Sequence, residues 1–309
     1  MTKREILYKS SNLEDLFRFY DSFSGSDEIV LWMKHRPKAR IRFYISKGSE
    51  KVCVIIPTAN HNSIYAKTAK KIYKGFTIIF IESNGPYFNF ARSVNRGLKY
   101  ALDKYKFNWV IISNDDIYKI DDIRVLEKEL NIANKRSADV LFREKTQTRE
   151  VNYVYVAKIN RILLLIVRAF TKGFSNKYYW YVEKFKIRFF VYDKSNKLKF
   201  YIFNIISKKK IKLYEEGAFW VLSYNFIKKN KGAIFDETYI NGFEDHDLSY
   251  RVNTKYKYDF IKFNLGFYNG KSLGTGKRRV LKDLVNLIYF NYKFCTKAKS
   301  RMDMFYADK

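Results

Sequence analysis

Val52-Cys53-Val54-Ile55-Ile56-Pro57-Thr58-Ala59-Asn60 is the stretch whose reading decides the fold. Five apolar residues run without alternation and stop at Pro57. A run of that length and kind reads as a strand covered on both faces, as in parallel sheets. Two more runs have the same character. Thr77-Ile78-Ile79-Phe80-Ile81 ends at Glu82-Ser83-Asn84-Gly85, and Trp109-Val110-Ile111-Ile112-Ser113 ends at Asn114-Asp115-Asp116. Between them Phe90, Val94, Leu98, Ala101, Leu102 and Tyr105 recur at helical spacing. Strand–helix–strand alternation implies right-handed crossovers and a doubly wound α/β sheet. Such sheets bind ligands outside the carboxyl ends of their strands. Here those ends carry Thr58 and Asn60, Glu82 and Asn84, and Asp115 and Asp116, so polar groups are expected to converge on one edge.

The chain has 309 residues, of which 47% are hydrophobic, enough for a sizeable core. Sixty lysines and arginines face 31 acidic residues, a net charge of +29. That imbalance attracts phosphates, whether of nucleic acid, anionic lipid headgroups or a nucleoside diphosphate. Cys53 and Cys295 are the only cysteines, so no disulfide framework or zinc spacing is available and a reducing cytosol is expected. The start, MTKREILYKSSNLEDLF, has no apolar h-region and carries no recognisable secretory signal. The longest clean apolar run, Ile162 to Val167, is far short of the roughly 20 residues a membrane span needs. The expected location is cytoplasmic, with peripheral association on the inner face of the membrane as an option.

Five segments follow from composition. Residues 1–50 read as an N-terminal extension with a short helix near Leu13–Phe19 and the basic stretch His35-Arg36-Pro37-Lys38. Residues 51–142 hold the strands above. Residues 143–213 carry 18 lysines and arginines against 4 acidic residues, and form a basic aromatic insertion. Within it, Lys158–Phe170 has the pattern of a basic amphipathic helix and Lys184–Phe203 that of a β-hairpin turning at Asp193-Lys194-Ser195-Asn196. Its interleaved aromatics, among them Tyr178, Trp180, Phe185 and Phe189, suit docking on an anionic membrane or a cap folded back over the binding edge. Nucleic acid is the weaker partner for the same charge. Residues 214–279 form a second half, and 280–309 a C-terminal helix from Val280 to Phe290 with a basic tail.

Three constellations carry candidate chemistry. Asn114-Asp115-Asp116 follows a buried strand directly, and a carboxylate pair there suits a hard divalent cation. The alternative is a solvated turn leading to the helix that Asp121-Asp122 begins. Gly242-Phe243-Glu244-Asp245-His246-Asp247-Leu248 is followed by Arg251, and Leu248 and Val252 share a helical face. Clustered carboxylates at a helix start are either capping groups or a general base beside a metal. His246 is either a metal ligand or an ordinary hydrogen-bonded histidine. The third is Gly266 to Arg279. A P-loop would need glycine at 265, which is Leu265, so that motif is excluded. A mobile loop closing over a diphosphate and a plain surface loop both remain open for it.

Taken in order, these pieces resemble the family-2 glycosyltransferases. Val54-Ile55-Ile56-Pro57-Thr58-Ala59-Asn60 is similar to the family's opening V-I-I-P-T-Y-N. Ile81-Glu82-Ser83-Asn84 stands where the family has D-N-G-S or similar. Asn89-Phe90-Ala91-Arg92-Ser93-Val94-Asn95-Arg96-Gly97 resembles the N-x-G-F-A-x-x-x-N-x-G run of the rhamnosyltransferase-like branch. Asn114-Asp115-Asp116 takes the D-x-D position. Gly217-Ala218-Phe219-Trp220 and Phe235-Asp236-Glu237 lead into Gly242–Arg251, similar to F-D-E-x-x-x-x-G-x-E-D-x-D-L-x-x-R. The resemblance covers about 51–142 and 214–276.

The resemblance implies a GT-A fold, a Rossmann-like mixed sheet with helices on both faces, here with the basic insertion. It implies an inverting transfer of a sugar from a nucleotide-sugar donor to a glycan, lipid-linked or protein acceptor. Position by position, Asp245 would be the general base with Glu244 beside it. Asp116, with Asp115, would ligate Mn²⁺ or Mg²⁺. Pro57, Thr58, Asn60, Glu82, Asn84, Asn95, Asn114, Asp115 and Lys277 would contact the nucleotide sugar, and Phe219 and Trp220 would line the acceptor side. Asn114 replaces the first carboxylate of D-x-D, Glu82 replaces an aspartate, and Tyr268 sits where many members carry a metal-ligating histidine. Those departures imply a metal held weakly or only together with the donor. A non-catalytic nucleic-acid- or membrane-binding protein on a degenerate scaffold is the alternative from another class.

Overall fold

The structure is a computed structural model and describes residues 2–23, 26–144, 147–159, 189–191, 198–268 and 276–294. The chain divides into two compact units. One contains Met1–His35, Glu150–Lys210 and Leu273–Lys309; the other contains Arg36–Arg149 and Ile211–Ser272.

The second unit is built on a seven-stranded sheet. In chain order its strands are β1 (Arg42–Ser46), β2 (Ser49–Thr58), β3 (Phe76–Glu82), β4 (Trp109–Ser113), β6 (Val140–Arg143), β10 (Phe219–Ser223) and β11 (Tyr258–Ile261). The spatial order is β1-β3-β2-β4-β10-β6-β11. β2 is parallel to β3 and β4, and β11 is parallel to β6, while β1 and β10 run against their neighbours. The sheet is therefore mixed and mostly parallel, in the Rossmann-like manner. A separate two-stranded ribbon pairs β5 (Ile117–Lys119) with β12 (Leu265–Phe267).

The apolar runs explain the layering. Alternate residues of β2 face opposite ways, and both faces are covered. Val54 and Ile56 pack with Ala66, Ala69 and Tyr73 around helix α4 (Ile64–Ile72), and with Leu126 and Leu130 of α6 (Ile123–Ala133). Cys53 and Ile55 pack with Ala91, Val94, Leu98 and Ala101 of α5 (Phe90–Lys104). The same layer takes Phe226 and Ile227 of α7 (Tyr224–Lys229) and Leu248 and Val252 of α8 (Glu244–Lys255). Caps start these helices where the sequence supplies an oxygen: Ser63 for α4, Asn89 for α5 and Asp122 for α6 each accept from a first-turn amide.

Residues 36–50 are not an extension. β1 hydrogen-bonds to β3 from Arg42↔Glu82 to Ser46↔Ile78 and closes that side of the sheet. Phe43 stacks on Tyr100 of α5 with ring centroids 5.0 Å apart. The sheet unit thus begins near Arg36, fifteen residues before the boundary expected from composition, because β1 lacks the unbroken apolar run that marked the other strands.

In the first unit, α1 (Lys3–Lys9), α2 (Leu13–Asp21), α3 (Ser26–Lys34) and α9 (Gly276–Phe294) are the described helices. Fully buried Phe19 meets the rings of Tyr8, Phe23 and Trp32 at 5.2, 4.9 and 4.8 Å. Tyr8 donates to the Lys282 carbonyl at 3.0 Å and Tyr20 to that of Leu281, which fastens α9. A three-stranded sheet orders β7 (Gln147–Ile159), β9 (Leu198–Tyr214) and β8 (Phe189–Val191) as β7-β9-β8, with Gln147–Arg149 of β7 and Ile211–Tyr214 of β9 belonging to the second unit. β8 and β9 are the antiparallel arms of the expected hairpin, and its turn lies outside the described residues. Lys158 and Ile159 end strand β7 rather than begin a helix; the rest of the expected amphipathic helix also lies outside them. Among the described residues no helix is long and apolar enough to cross a membrane.

Gly97 shows how tightly α5 lies on the sheet. A Cβ there would stand 2.7 Å from both Ile55 Cγ2 and Ile81 Cδ1. Gly97→Val should therefore overpack the interface and cost about 1–3 kcal/mol. The urea midpoint should fall accordingly, and an unchanged midpoint would contradict this close approach.

Candidate functional site

Because β2, β3 and β4 are parallel, their carboxyl ends share one edge. Thr58 ends β2 and is 3% exposed. Its hydroxyl donates to Asp115 Oδ2 at 2.6 Å and accepts from the Asn60 amide at 3.2 Å. Two strand ends are thereby tied together. Burial pushes the Asp115 carboxyl above its ordinary pKa, and the Thr58 hydrogen bond opposes that rise without cancelling it. The next residue, Asp116, enters β5, and its carbonyl accepts from the Tyr268 amide at 2.8 Å. Tyr268 is 49% exposed, and its ring meets those of Tyr65 and Tyr118 at 5.9 and 5.1 Å.

Glu82 ends β3. Its Oε2 accepts from His61 Nδ1 at 2.7 Å and from the His61 amide at 3.1 Å, and these bonds lower its pKa. The His61 ring lies flat on Tyr44, 3.4 Å between centroids and 12° between planes. Neither His61 nor Tyr44 stood out in the sequence. His61 directly follows the opening motif, but a single histidine in a loop gives no pattern to read. Asn84 Nδ2 donates to the Ala59 carbonyl at 3.4 Å, and Pro57 is buried in β2.

The second group of carboxylates begins α8. Asp245 is 18% exposed and both its oxygens are engaged. Oδ1 accepts from the His246 amide at 2.8 Å and from His246 Nδ1 at 2.9 Å. Oδ2 accepts from the Tyr214 hydroxyl at 2.5 Å and the Gly217 amide at 3.3 Å. Burial alone would raise the carboxyl, but the charge of His246 and the hydrogen bonds from His246 and Tyr214 outweigh it, and the pKa is lowered to about 2. Burial, together with the Asp245 charge, moves the Tyr214 phenol far above its usual range, so it remains a donor. Glu244 is buried, 5% exposed. Asp247 is fully buried and pairs with Arg251 at 2.6 Å, which also donates to the Ile234 carbonyl.

One short strap joins the two groups. The Gly217 amide holds Asp245, and the carbonyl of the next residue, Ala218, accepts from the Asn114 amide at 3.0 Å. The strap is anchored by buried Glu215, which takes the Arg143 amide at 3.0 Å and its Nε at 2.8 Å.

Three expected site residues, Asn95, Phe219 and Trp220, are enclosed in the interior instead. Asn95 is 2% exposed and its amide is fully engaged. Its oxygen accepts from the Ile234 and Phe235 amides, both at 3.0 Å. Its nitrogen donates to the Phe235 carbonyl at 2.8 Å and to Glu237 at 3.1 Å. It pins the loop before α8 rather than facing a ligand. Phe219 and Trp220 are successive residues of β10, so they point to opposite faces of the sheet. Both are core side chains, Phe219 at 1% and Trp220 at 0% exposure, with Trp220 against Phe142 and Phe235. Lys277 falls in α9, in the other unit, and its side chain is outside the described residues, as is the Gly-rich stretch 269–275.

Among the described residues no group of three or more His, Cys, Asp and Glu gathers to hold a metal by itself. Asp115 and Asp116 offer two carboxylates. That donor set fits a hard cation of the magnesium kind, which takes one or two carboxylates and completes its shell with water and substrate phosphates.

No family model matches the chain, and no curated protein matches it. Among solved structures it is similar to the crystal structure of A197 from STIV, with a TM-score of 0.37 and 10% identity over 71% of this chain and 86% of that one. A likeness that slight carries no argument, so fold and chemistry rest on the residues above.

The depressed Asp245 pKa is also a stability statement. The folded value lies below the unfolded value of about 3.9, so its contribution is complete above that pH and is lost as the pH falls towards about 2. Its size is on the order of 2 kcal/mol. The wild type should therefore lose stability steeply between pH 4 and 2, and Asp245→Asn should flatten stability across that window. Parallel stability curves for the two proteins across that window would contradict the linkage.

Proposed function

We propose that this protein transfers a sugar from a nucleoside diphosphate donor to an acceptor hydroxyl on a GT-A version of its mostly parallel sheet. The observation that carries the proposal is the strap Gly217-Ala218. It brings the Asn114-Asp115-Asp116 loop and the Asp245 centre to the same carboxyl edge through consecutive residues. The reversed strand β10 beside β4, and the β5–β12 ribbon that receives Asp116, agree with that assignment.

The chain's residues divide the work. Thr58, Asn60 and the Glu82–His61 pair border the nucleoside end of the edge. Asp116, supported by Asp115, would hold Mn²⁺ or Mg²⁺ against the diphosphate. Such an ion, when bound, supplies positive charge where negative charge grows on the leaving group. Asn114 donates its backbone amide to Ala218 and so aligns the loop with the strap. The acceptor hydroxyl is a weak nucleophile and must lose its proton as it attacks. The Asp245 centre in the first turn of α8 is the place for that proton, and attack opposite the diphosphate inverts the anomeric carbon.

Binding to the folded state alone stabilises by mass action, about 2.7 kcal/mol at a hundredfold excess over Kd. A nucleoside diphosphate with Mn²⁺ should raise the melting temperature of the wild type. Asp116→Ala should stay folded and lose that shift. An undiminished shift in the variant would remove Asp116 from the site. No shift with uridine, guanosine or thymidine diphosphate would instead favour a non-catalytic scaffold.

A further inference from the structure

We infer that His246, not Asp245, is the group that takes the acceptor proton, with Asp245 as the positioning residue that orients the ring; this rests on the glycosyl-transfer proposal. An ionised carboxylate offers about four lone-pair directions. Asp245 has four donors in place: the His246 amide, His246 Nδ1, the Tyr214 hydroxyl and the Gly217 amide. No direction is left for a substrate hydroxyl. Glu244, the other carboxylate considered for the role, is buried.

The histidine has what the carboxylate lacks. An ionised carboxylate only accepts, so the nitrogen 2.9 Å from Asp245 Oδ1 must carry a proton. In the neutral ring that leaves the lone pair on Nε2. Nε2 has no hydrogen-bond partner among the described residues, and the side chain is 21% exposed. The ring cannot swing freely. It is stacked on Phe243 at 4.5 Å and 22°, and it meets Tyr214 at 4.6 Å on a tilted contact. Phe243 adopts φ 69°, a left-handed backbone that a bulky residue rarely takes. Strain of this kind, costing on the order of 1–3 kcal/mol, persists where surrounding structure enforces it and clusters at functional sites. Here it sets the ring that braces His246. The tyrosine thus acts twice, holding Asp245 through its hydroxyl and His246 through its face.

The step balances. The acceptor O–H bond breaks and its proton goes to Nε2. The oxygen forms the new bond to the anomeric carbon, whose bond to the diphosphate oxygen breaks with the electron pair leaving on the diphosphate. The imidazolium, stabilised by Asp245, returns its proton to water.

With only three histidines in the chain, the imidazoles can be resolved by ¹⁵N NMR. In the labelled protein at mildly alkaline pH, long-range ¹H–¹⁵N spectra should show His246, assigned by loss of its signals in His246→Asn, protonated on Nδ1 and bare on Nε2. Asp245→Asn, whose amide offers an N–H towards Nδ1, should shift the proton to Nε2. An Nε2–H tautomer in the wild type would overturn the inference, whatever the enzyme's activity. The kinetic arm uses His246→Asn, whose amide retains a donor towards Asp245 but has no base. It should keep the melting shift with nucleoside diphosphate and Mn²⁺ and lose at least about 10²-fold in donor turnover, scored on a panel of uridine, guanosine and thymidine diphosphate sugars. Full turnover in that variant makes Asp245 or another group the base. If the wild type neither binds nor turns over any of the panel, the transfer proposal and the base role fall together, while the tautomer still reports on the Asp245–His246 pair.

Discussion

Four hydrogen bonds converge on the two oxygens of Asp245, and much of the site's geometry follows from them. Tyr214 closes β9, Gly217 precedes β10 and His246 belongs to α8. One carboxylate therefore fixes the end of a strand, the strap into the next and the first turn of a helix. The Ala218 carbonyl extends that arrangement to Asn114 and so to the end of β4. An unpaired charge at so enclosed a position would be costly. Satisfied on all sides, it ties these segments together and holds the His246 ring through Nδ1.

A second lock, made of amides, supports the approach to α8. Asn95 receives and donates along 234–237, while Arg251 ties Asp247 and the Ile234 carbonyl. The Asn89 side chain adds bonds to the carbonyls of Glu237 and Tyr239. The loop that delivers Phe243 and Asp245 is thus pinned to α5 on one side and α8 on the other. A strained φ at Phe243 is tolerable only in such a frame.

Much of this was legible in the sequence. Unbroken apolar runs identified β2, β3 and β4, because strands buried on both faces have nothing polar to alternate with. Helical spacing located α5, and the carboxyl-edge rule placed the polar groups. β1 escaped because an edge strand half-covered on both faces carries a short apolar run between Arg42 and Ser46 and so a weak signal. The candidate site was legible by residue type and less so by role. Asp115, Asp116 and Asp245 could be picked from their motifs. Asn95, Phe219 and Trp220 sit in motifs too, but burial decides their work, and a motif does not reveal which face of a strand or helix is covered. His61, Tyr44 and Tyr214 are brought to the site by tertiary contacts between distant segments, which one sequence does not display. His246 was visible, yet its partner and tautomer depend on where Asp245 turns.

The central claim is that this edge binds the diphosphate of a nucleotide donor with the help of a divalent ion at Asp115 and Asp116. Calorimetric titration of the wild-type protein with uridine, guanosine and thymidine diphosphates, each with and without Mn²⁺, addresses it most directly. The account predicts saturable binding of at least one of them, strengthened markedly by the metal. Heats no greater than dilution for all three, with and without Mn²⁺, would contradict it.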